Sequence, residues 1–118
     1  MSSSQDRSSS ERRQAELLVV EARESHGGTL KLALQGELDM GTAPELEARL
    51  AALSEARSPA KLDLSGLTFV DSTGLRVLLG AVRDADRDGW KLEVGRELSP
   101  QVRRLVELTG TSGSIWPE

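Results

Sequence analysis

The stretch LDLSGLTFVDSTGL, residues 62–75, combines the pattern of a buried strand, a short polar connection and the start of a helix. After Ser72 the apolar residues recur at spacings of three and four, the period of one helix face: Leu75, Leu78, Leu79 and Val82. A hydroxyl in the first turn of a helix lies among unpaired backbone N–H groups, at the positive end of the helix dipole. Such a site stabilises a phosphate, so the pattern predicts that Ser72 is a phosphorylatable switch.

The residues before this stretch predict an N-terminal hairpin followed by a helix. One strand begins at Leu17–Val20 and continues through Ala22, and the turn is His26-Gly27-Gly28. The second strand shows the alternation of a half-buried strand at Leu30, Leu32 and Leu34. A helix then begins at Thr42 with Glu45 three residues later, which is the capping-box pattern, and Ser58-Pro59 ends it. Its predicted buried face is Ala43, Leu46, Leu50 and Leu53.

The remaining elements complete an alternating β and α order. A strand is predicted over Ala60–Leu64, Gly89 ends the second helix, and Leu92 and Val94 form the next strand. Ser99-Pro100 begins a third helix, which ends at Gly110. Its predicted buried face is Val102, Leu105, Val106 and Thr109, and Ile115 and Trp116 are predicted to form a last short strand. The order predicts an α/β domain over residues 15–118, with a mixed sheet of four to five strands and helices packed against it.

Composition excludes several classes of protein. The Ser-rich residues 1–14 are nearly free of apolar side chains and are predicted to be disordered. The chain has no cysteine, which excludes a disulfide framework and a cysteine-ligated metal, and no metal site or cofactor is expected. The first 15 residues carry a net charge of +1 and the remainder −5, so direct binding of nucleic acid is not expected. No apolar run approaches a membrane span and no signal peptide is visible, so a cytoplasmic protein without a membrane partner is expected.

Two further function classes fit the sequence poorly. A serine hydrolase would need Ser72 in a Gly-x-Ser-x-Gly elbow and a nearby histidine, but the sole histidine, His26, is in the distant hairpin turn. The chain is therefore predicted not to be an enzyme, with no catalytic residue. A receiver domain phosphorylated on aspartate is suggested by Asp63 and Asp71 at a strand end, but receivers do not begin with a hairpin.

Three segments in order resemble the STAS domain of anti-sigma factor antagonists, whose phosphoacceptor lies in an Asp-Ser-Ser/Thr-Gly-Leu motif. The first is Gly36-Glu37-Leu38-Asp39 followed by Thr42-Ala43, the second is residues 62–75, and the third is residues 98–105. The resemblance covers about residues 17–110. Family members usually continue with a strand and a final helix, whereas Gly110–Ser114 is polar and the sequence given ends at Glu118. The resemblance therefore implies a domain without the last helix.

The resemblance implies a partner switch. The unphosphorylated protein would bind an anti-sigma factor that is also an ATP-dependent serine kinase, and the sigma factor would be released. The kinase would phosphorylate Ser72 and end the complex, and a protein phosphatase acting on phospho-Ser72 would reset it. The alternative is a STAS domain that serves as a scaffold or as a regulatory subunit of a stress-signalling assembly or a transporter.

The same resemblance implies a partner-binding surface around Ser72. Its predicted members are Glu37, Asp39, Thr42, Asp71, Thr73, Gly74, Leu75 and Arg76. Several have a second interpretation. Ser72 fits an ordinary N-cap, Thr73 is a competing phosphoacceptor, and Leu75 also fits the core face of its helix. Asp71 either holds the loop through backbone N–H groups, orients the Ser72 hydroxyl or meets the partner. Gly74 permits close approach of a partner or phosphate, or else tight packing against the sheet.

Overall fold

Four strands form one mixed sheet in the computed structural model, which describes residues 16–23 and 28–117. They are β1 (Leu17–Arg23), β2 (Leu30–Leu38), β3 (Ala60–Val70) and β4 (Leu92–Val94), and they lie side by side in that order. β1 is antiparallel to β2, whereas β2, β3 and β4 are parallel. The predicted α/β fold and its N-terminal hairpin are confirmed. The turn residues His26 and Gly27 and the predicted disordered tail lie outside the described residues, so the predicted domain boundary stays a prediction.

Two helices connect the parallel strands, two follow β4, and they pack on one face of the sheet. They are α1 (Ala43–Glu55), α2 (Ser72–Asp88), α3 (Pro100–Thr109) and the single-turn α4 (Ser112–Ile115). α1 packs against α2, α2 also contacts β3 and α4, and α3 contacts β3. Gly89 and Gly110 end α2 and α3 with φ values of +74° and +67°, the left-handed conformation that favours glycine, as predicted.

Leucine fills the core between the sheet and the helices. The fully buried side chains come from β2, α1 and β3: Leu32, Leu34, Leu38, Leu46, Leu62, Leu64 and Leu67. The predicted faces of α1 and α3 are largely confirmed, because Ala43, Leu50, Val102 and Val106 are also buried. Thr109 is the exception. It is exposed, and its hydroxyl donates to the Leu105 carbonyl, which satisfies it at the helix surface.

β3 is longer than predicted, because the polar connection is part of the strand. It pairs with β2 through Val70, and the pairing shifts register twice, between Ala33 and Gln35 and between Gly36 and Glu37. Each shift inserts a residue, so buried positions in β3 change from a spacing of two to a spacing of three at Leu67 and Val70. The bulges interrupt the strict alternation by which a strand is recognised in a sequence, so this part of β3 was predicted as a polar connection.

Two further predictions were wrong. Thr42 makes no side-chain cap hydrogen bond, so the capping box is absent, and Glu45 lies 4.0 Å from Arg49 in an ion pair instead. Ile115 and Trp116 form no strand. Ile115 ends α4 and packs into the core, and the Trp116 indole donates to the Val94 carbonyl at 2.9 Å. The Val94 carbonyl, which points away from β3, is therefore paired with a side chain and not with a fifth strand.

A polar cluster on the uncovered face of the sheet makes stability depend on pH. Asp63 Oδ1 accepts from the Ser65 backbone N–H at 3.0 Å and from its hydroxyl at 2.7 Å, and Lys31 lies 3.6 Å from Oδ2. The two Ser65 bonds, helped by the Lys31 charge, hold the pKa of Asp63 below its usual range. A depressed pKa means that the folded state favours the carboxylate, which stabilises it above the pKa of the unfolded chain.

Replacing Asp63 with asparagine is therefore expected to lower the free energy of unfolding at neutral pH and to have less effect in acid. The difference between wild type and Asp63→Asn should shrink as pH falls through about 4 and below, where the wild-type carboxyl takes up its proton. Urea unfolding at a series of pH values measures this. A difference that stays constant down to pH about 3 would contradict the assignment.

Candidate functional site

The candidate site lies where the parallel strands β2 and β3 end. Leu38 and Val70, the last residues of these strands, are paired, and the Asp71 N–H donates to the Leu38 carbonyl at 3.1 Å. The loop of residues 39–42 leaves β2 at this edge, and α2 begins here after β3. Two motifs separated by about 30 residues in the sequence therefore meet, because carboxyl ends of neighbouring parallel strands share one edge of a sheet.

The 39–42 loop is held by its own side chains. Asp39 Oδ1 accepts from the N–H groups of Gly41 at 2.9 Å and Thr42 at 3.1 Å. The Thr42 hydroxyl donates to the Glu37 carbonyl at 2.8 Å and accepts from the Asp39 N–H at 3.0 Å. Asp39 and Thr42 thus shape the loop from within, and their side chains are only partly accessible. Glu37 is exposed.

Asp71 joins the loop to α2. Its Oδ1 accepts from the Gly74 N–H at 2.8 Å, which makes Asp71 the N-cap of α2, and its Oδ2 accepts from the Met40 N–H at 3.0 Å. Both carboxylate oxygens therefore hold backbone N–H groups, as the loop-holding interpretation expects. The N-cap interpretation of Ser72 was wrong, because Ser72 is the first residue inside the helix.

Ser72 presents its side chain to solvent. It is exposed, as is Arg76 one turn further on, whereas Thr73 is half-buried. Within residues 16–23 and 28–117, the Ser72 hydroxyl and the N–H groups of Ser72 and Thr73 have no hydrogen-bond partner. Thr73 and Arg76 also line one end of a groove of about 580 Å³ between α1 and α2. Of the two hydroxyls in this turn, that of Ser72 is the more accessible to another protein.

Gly74 and Leu75 lie beneath this surface. A Cβ on Gly74 would lie 2.5 Å from the Leu38 carbonyl oxygen and 2.8 Å from Leu38 Cγ, so the residue is packed tightly against the end of β2. The structure favours the packing interpretation of Gly74 over the approach of a ligand. Leu75 is 7% exposed and belongs to the core. Gly74 has no side chain to offer a partner, and that of Leu75 is buried in the core.

Sequence reasoning missed two exposed apolar residues at this edge. Met40 is 72% exposed in the loop and Phe69 is 47% exposed near the end of β3, where it pairs with Glu37. Phe69 is the only phenylalanine of the chain, and a strand assigned through Val70 would have placed it on the uncovered face of the sheet. The exposed residues at this edge of the sheet are Glu37, Met40, Phe69, Ser72 and Arg76.

No helix within residues 16–23 and 28–117 has the length and apolar character needed to cross a membrane. In the same ranges, no three His, Cys, Asp or Glu side chains are grouped so that they could hold a metal ion.

Comparison with known families identifies the fold. The family model described as Mlab, STAS domain matches residues 21–116. This chain belongs to the STAS domain family. The match includes the 39–42 loop, β3 and α2, so the resemblance found from three sequence segments is confirmed. A similar protein is the anti-sigma-B factor antagonist of Bacillus subtilis strain 168, which is 31% identical over 86 residues. These residues are 73% of this chain and 78% of the Bacillus protein.

Solved structures give the same result for the STAS domain. An anti-sigma factor antagonist from Mycobacterium paratuberculosis matches with a TM-score of 0.70 at 29% identity, over 86% of this chain and 84% of the other. The antagonist SpoIIAA in its unphosphorylated form matches with a TM-score of 0.57 at 26% identity, over 82% and 81% of the two chains. Its phosphorylated form, at 23% identity, shares the fold, with a TM-score of 0.56 over 82% and 84%. These relatives carry the names of regulatory antagonists rather than of enzymes.

Proposed function

We propose that this STAS domain is an anti-sigma factor antagonist that works by partner switching. Unphosphorylated, it binds an anti-sigma factor that is also a serine kinase, and the sigma factor is released. Phosphorylation of Ser72 ends the complex, and a protein phosphatase removes the phosphate. The names of its relatives support the antagonist role, and the existence of two phosphorylation states of SpoIIAA supports a phosphorylation switch. ATP would come with the kinase, so the domain itself needs no cofactor.

The accessibility of Ser72 is the observation that carries this proposal. Its hydroxyl is exposed at the first residue of α2 and makes no hydrogen bond to any described residue. The neighbouring carboxylate of Asp71 is occupied by the N–H groups of Gly74 and Met40. A kinase would therefore meet a hydroxyl that no described residue engages, and phosphorylation would break no hydrogen bond among residues 16–23 and 28–117.

The same turn explains why a phosphate is tolerated by the domain. The N–H groups of Ser72 and Thr73 belong to the first turn of α2, which is 17 residues long. They and the helix dipole favour negative charge at this end. The phosphate adds about −1.5 to −2 charges without requiring the fold to change.

The surroundings explain why a partner would not tolerate the phosphate. Met40, beside Asp71, offers a largely exposed apolar side chain, and its burial would favour docking of the unphosphorylated form. A phosphate on Ser72 next to the Asp71 carboxylate gives this surface a concentrated negative charge, which a docked protein would have to desolvate. A tenfold loss of affinity requires only ~1.4 kcal/mol.

The test is phosphorylation by ATP and the kinase-type anti-sigma factors of the same genome, followed by intact-mass and peptide mass spectrometry. We expect one phosphate on Ser72, none on Ser72→Ala, and at least tenfold weaker binding of the phosphorylated protein by calorimetry, ~1.4 kcal/mol or more. Ser112→Ala is the matched control. Ser112 is also an exposed serine at the first position of a helix, and its loss should change neither phosphorylation nor binding.

Other phosphorylation sites would contradict the proposal. Phosphate on Thr73 or on a serine of residues 1–14 would place the switch elsewhere, and an acid-labile phosphate on aspartate would indicate receiver chemistry. Absence of phosphorylation by every such kinase, together with co-purification in a large assembly or with a membrane protein, would favour the scaffold or regulatory-subunit role.

A further inference from the structure

Within residues 16–23 and 28–117, no strand pairs with the outer edge of β1. β1 is the first strand in the sheet order, and β2 is its one partner among these residues. The Glu37 N–H donates to the Glu16 carbonyl at 2.8 Å, so the even-numbered residues of the strand face β2 in the ladder. Hydrogen-bonded and non-hydrogen-bonded pairs alternate in an antiparallel ladder. The N–H and C=O groups of Leu17, Val19, Glu21 and Arg23 therefore point away from the sheet.

The face of β1 turned away from the helices is apolar. Leu18 is 58% exposed and Val20 is 43% exposed, and Ala22 is exposed as well. They alternate with Leu17, Val19 and Glu21 on the helix-covered face, where Glu21 forms an ion pair with Arg49 of α1. A seven-residue edge strand with unpaired backbone groups and an uncharged face is a template for pairing with another strand.

We propose that a second copy of this chain pairs with β1 in an antiparallel ladder whose two-fold axis passes through Val20. In this register Val20 lies opposite Val20 of the second copy, Leu18 opposite Ala22, Val19 opposite Glu21, and Leu17 opposite Arg23. The odd-numbered residues, whose backbone groups pair with no described strand, meet one another and can exchange hydrogen bonds. The even-numbered residues form the closer, non-hydrogen-bonded pairs, in which side chains approach most nearly.

The side chains that would lie opposite one another favour a second copy of β1 in this register. All three even-numbered pairs are apolar on both sides, Leu18 with Ala22, Val20 with Val20 and Ala22 with Leu18. A ladder centred on Glu21 would place two glutamates directly opposite, which is unfavourable. A ladder centred on Val19 would place Ala22 opposite Glu16. In the proposed register Glu21 faces Val19 of the second copy and keeps its partner Arg49. The result is a continuous eight-stranded sheet across the two-fold axis.

Cysteine cross-linking tests the register directly, because the chain contains no cysteine. Non-hydrogen-bonded antiparallel pairs have Cα atoms about 4.5 Å apart, within the range of a disulfide. We expect Val20→Cys to form a disulfide-linked dimer under mild oxidation at least tenfold faster than Leu18→Cys alone. In the proposed register the two Leu18 positions are four residues apart, or about 14 Å. An equal mixture of Leu18→Cys and Ala22→Cys should cross-link about half as fast as Val20→Cys, because half of the dimers combine the two variants and place one such pair opposite each other.

Leu108→Cys is the control for random collision, because Leu108 is 78% exposed on α3, away from β1. Sedimentation of the full chain across a concentration series should show a monomer–dimer equilibrium. Val20→Lys should abolish it and Leu108→Lys should not, with circular dichroism confirming that both variants fold. Equal cross-linking of Val20→Cys, Leu18→Cys and Leu108→Cys would overturn the proposal, as would a wild-type chain that stays monomeric at every concentration. Both measurements are independent of the antagonist function.

Discussion

Replacing Gly74 with alanine is expected to lower the free energy of unfolding by about 3 kcal/mol, the upper end of what overpacking costs in a close-packed interior. The added Cβ would lie 2.5 Å from the Leu38 carbonyl oxygen, 2.8 Å from Leu38 Cγ and 3.0 Å from the Leu38 carbonyl carbon. The carbonyl is a fixed neighbour, because it accepts from the Asp71 N–H at the joint between β2 and β3. Relief of the contact therefore requires the start of α2 to move away from the sheet.

Gly80→Ala is the matched control in the same helix. A Cβ on Gly80 would meet only the end of the Arg83 side chain, at 3.6 Å. Alanine is a better helix former than glycine, so this variant should gain up to ~1 kcal/mol. Urea unfolding of both variants measures the difference. If Gly74→Ala were as stable as Gly80→Ala, the glycine would not be required by packing, and its role at the surface would have to be reconsidered.

Replacing Asp71 with alanine is expected to lower the free energy of unfolding by about 2 kcal/mol, because an N-cap and a second hydrogen bond to a charged acceptor are lost together. The N-cap bond to Gly74 begins α2, and the bond from the Met40 N–H ties the 39–42 loop to it. Loss of the second bond should also speed hydrogen exchange of the Met40 amide, which nuclear magnetic resonance measures.

A serine at this position separates the two roles of Asp71. Ser is an effective N-cap, so Asp71→Ser should keep much of the helix stability but lose the protection of the Met40 amide. Asp86→Ala controls for removal of an exposed aspartate from the same helix, and it should change stability by no more than about 0.5 kcal/mol. An unchanged Met40 exchange rate in Asp71→Ala would show that the loop does not depend on this carboxylate.

The sequence predicted the helices well because their signals are local. α2 and α3 end at Gly89 and Gly110, where glycine adopts the left-handed conformation, and Ser99 caps α3 through the Val102 N–H at 3.3 Å. Each of these features depends on residues within one or two turns. The capping box at Thr42 is the exception. The Thr42 hydroxyl donates instead to the Glu37 carbonyl, five residues earlier at the end of β2, at 2.8 Å.

Strand predictions were less complete because strand pairing is not local. The second half of β3 is a strand only because β2 lies beside it and shifts register twice. One of these shifts lies at Gly36, whose φ is +108° and where a Cβ would collide with the carbonyl of Glu16, just before β1. The geometry at Gly36 therefore depends on residues that are distant in the sequence, and the alternation within residues 60–70 could not reveal the full length of β3. The exposed Phe69 was missed for the same reason.

Some features of the candidate site could likewise be predicted from the sequence, and others could not. The sequence by itself identified Ser72 as a hydroxyl at the start of a helix, because the motif and the helix period are contained within 20 residues. It also named the family, because three motifs follow in the expected order along the chain. Only the tertiary structure showed the contacts between the two motifs. Parallel pairing of β2 and β3 brings the Asp71 carboxylate to the Met40 N–H and packs Gly74 against Leu38. Which side chains point inward depends on strands that are distant in the chain, and burial is decided only when those strands pair.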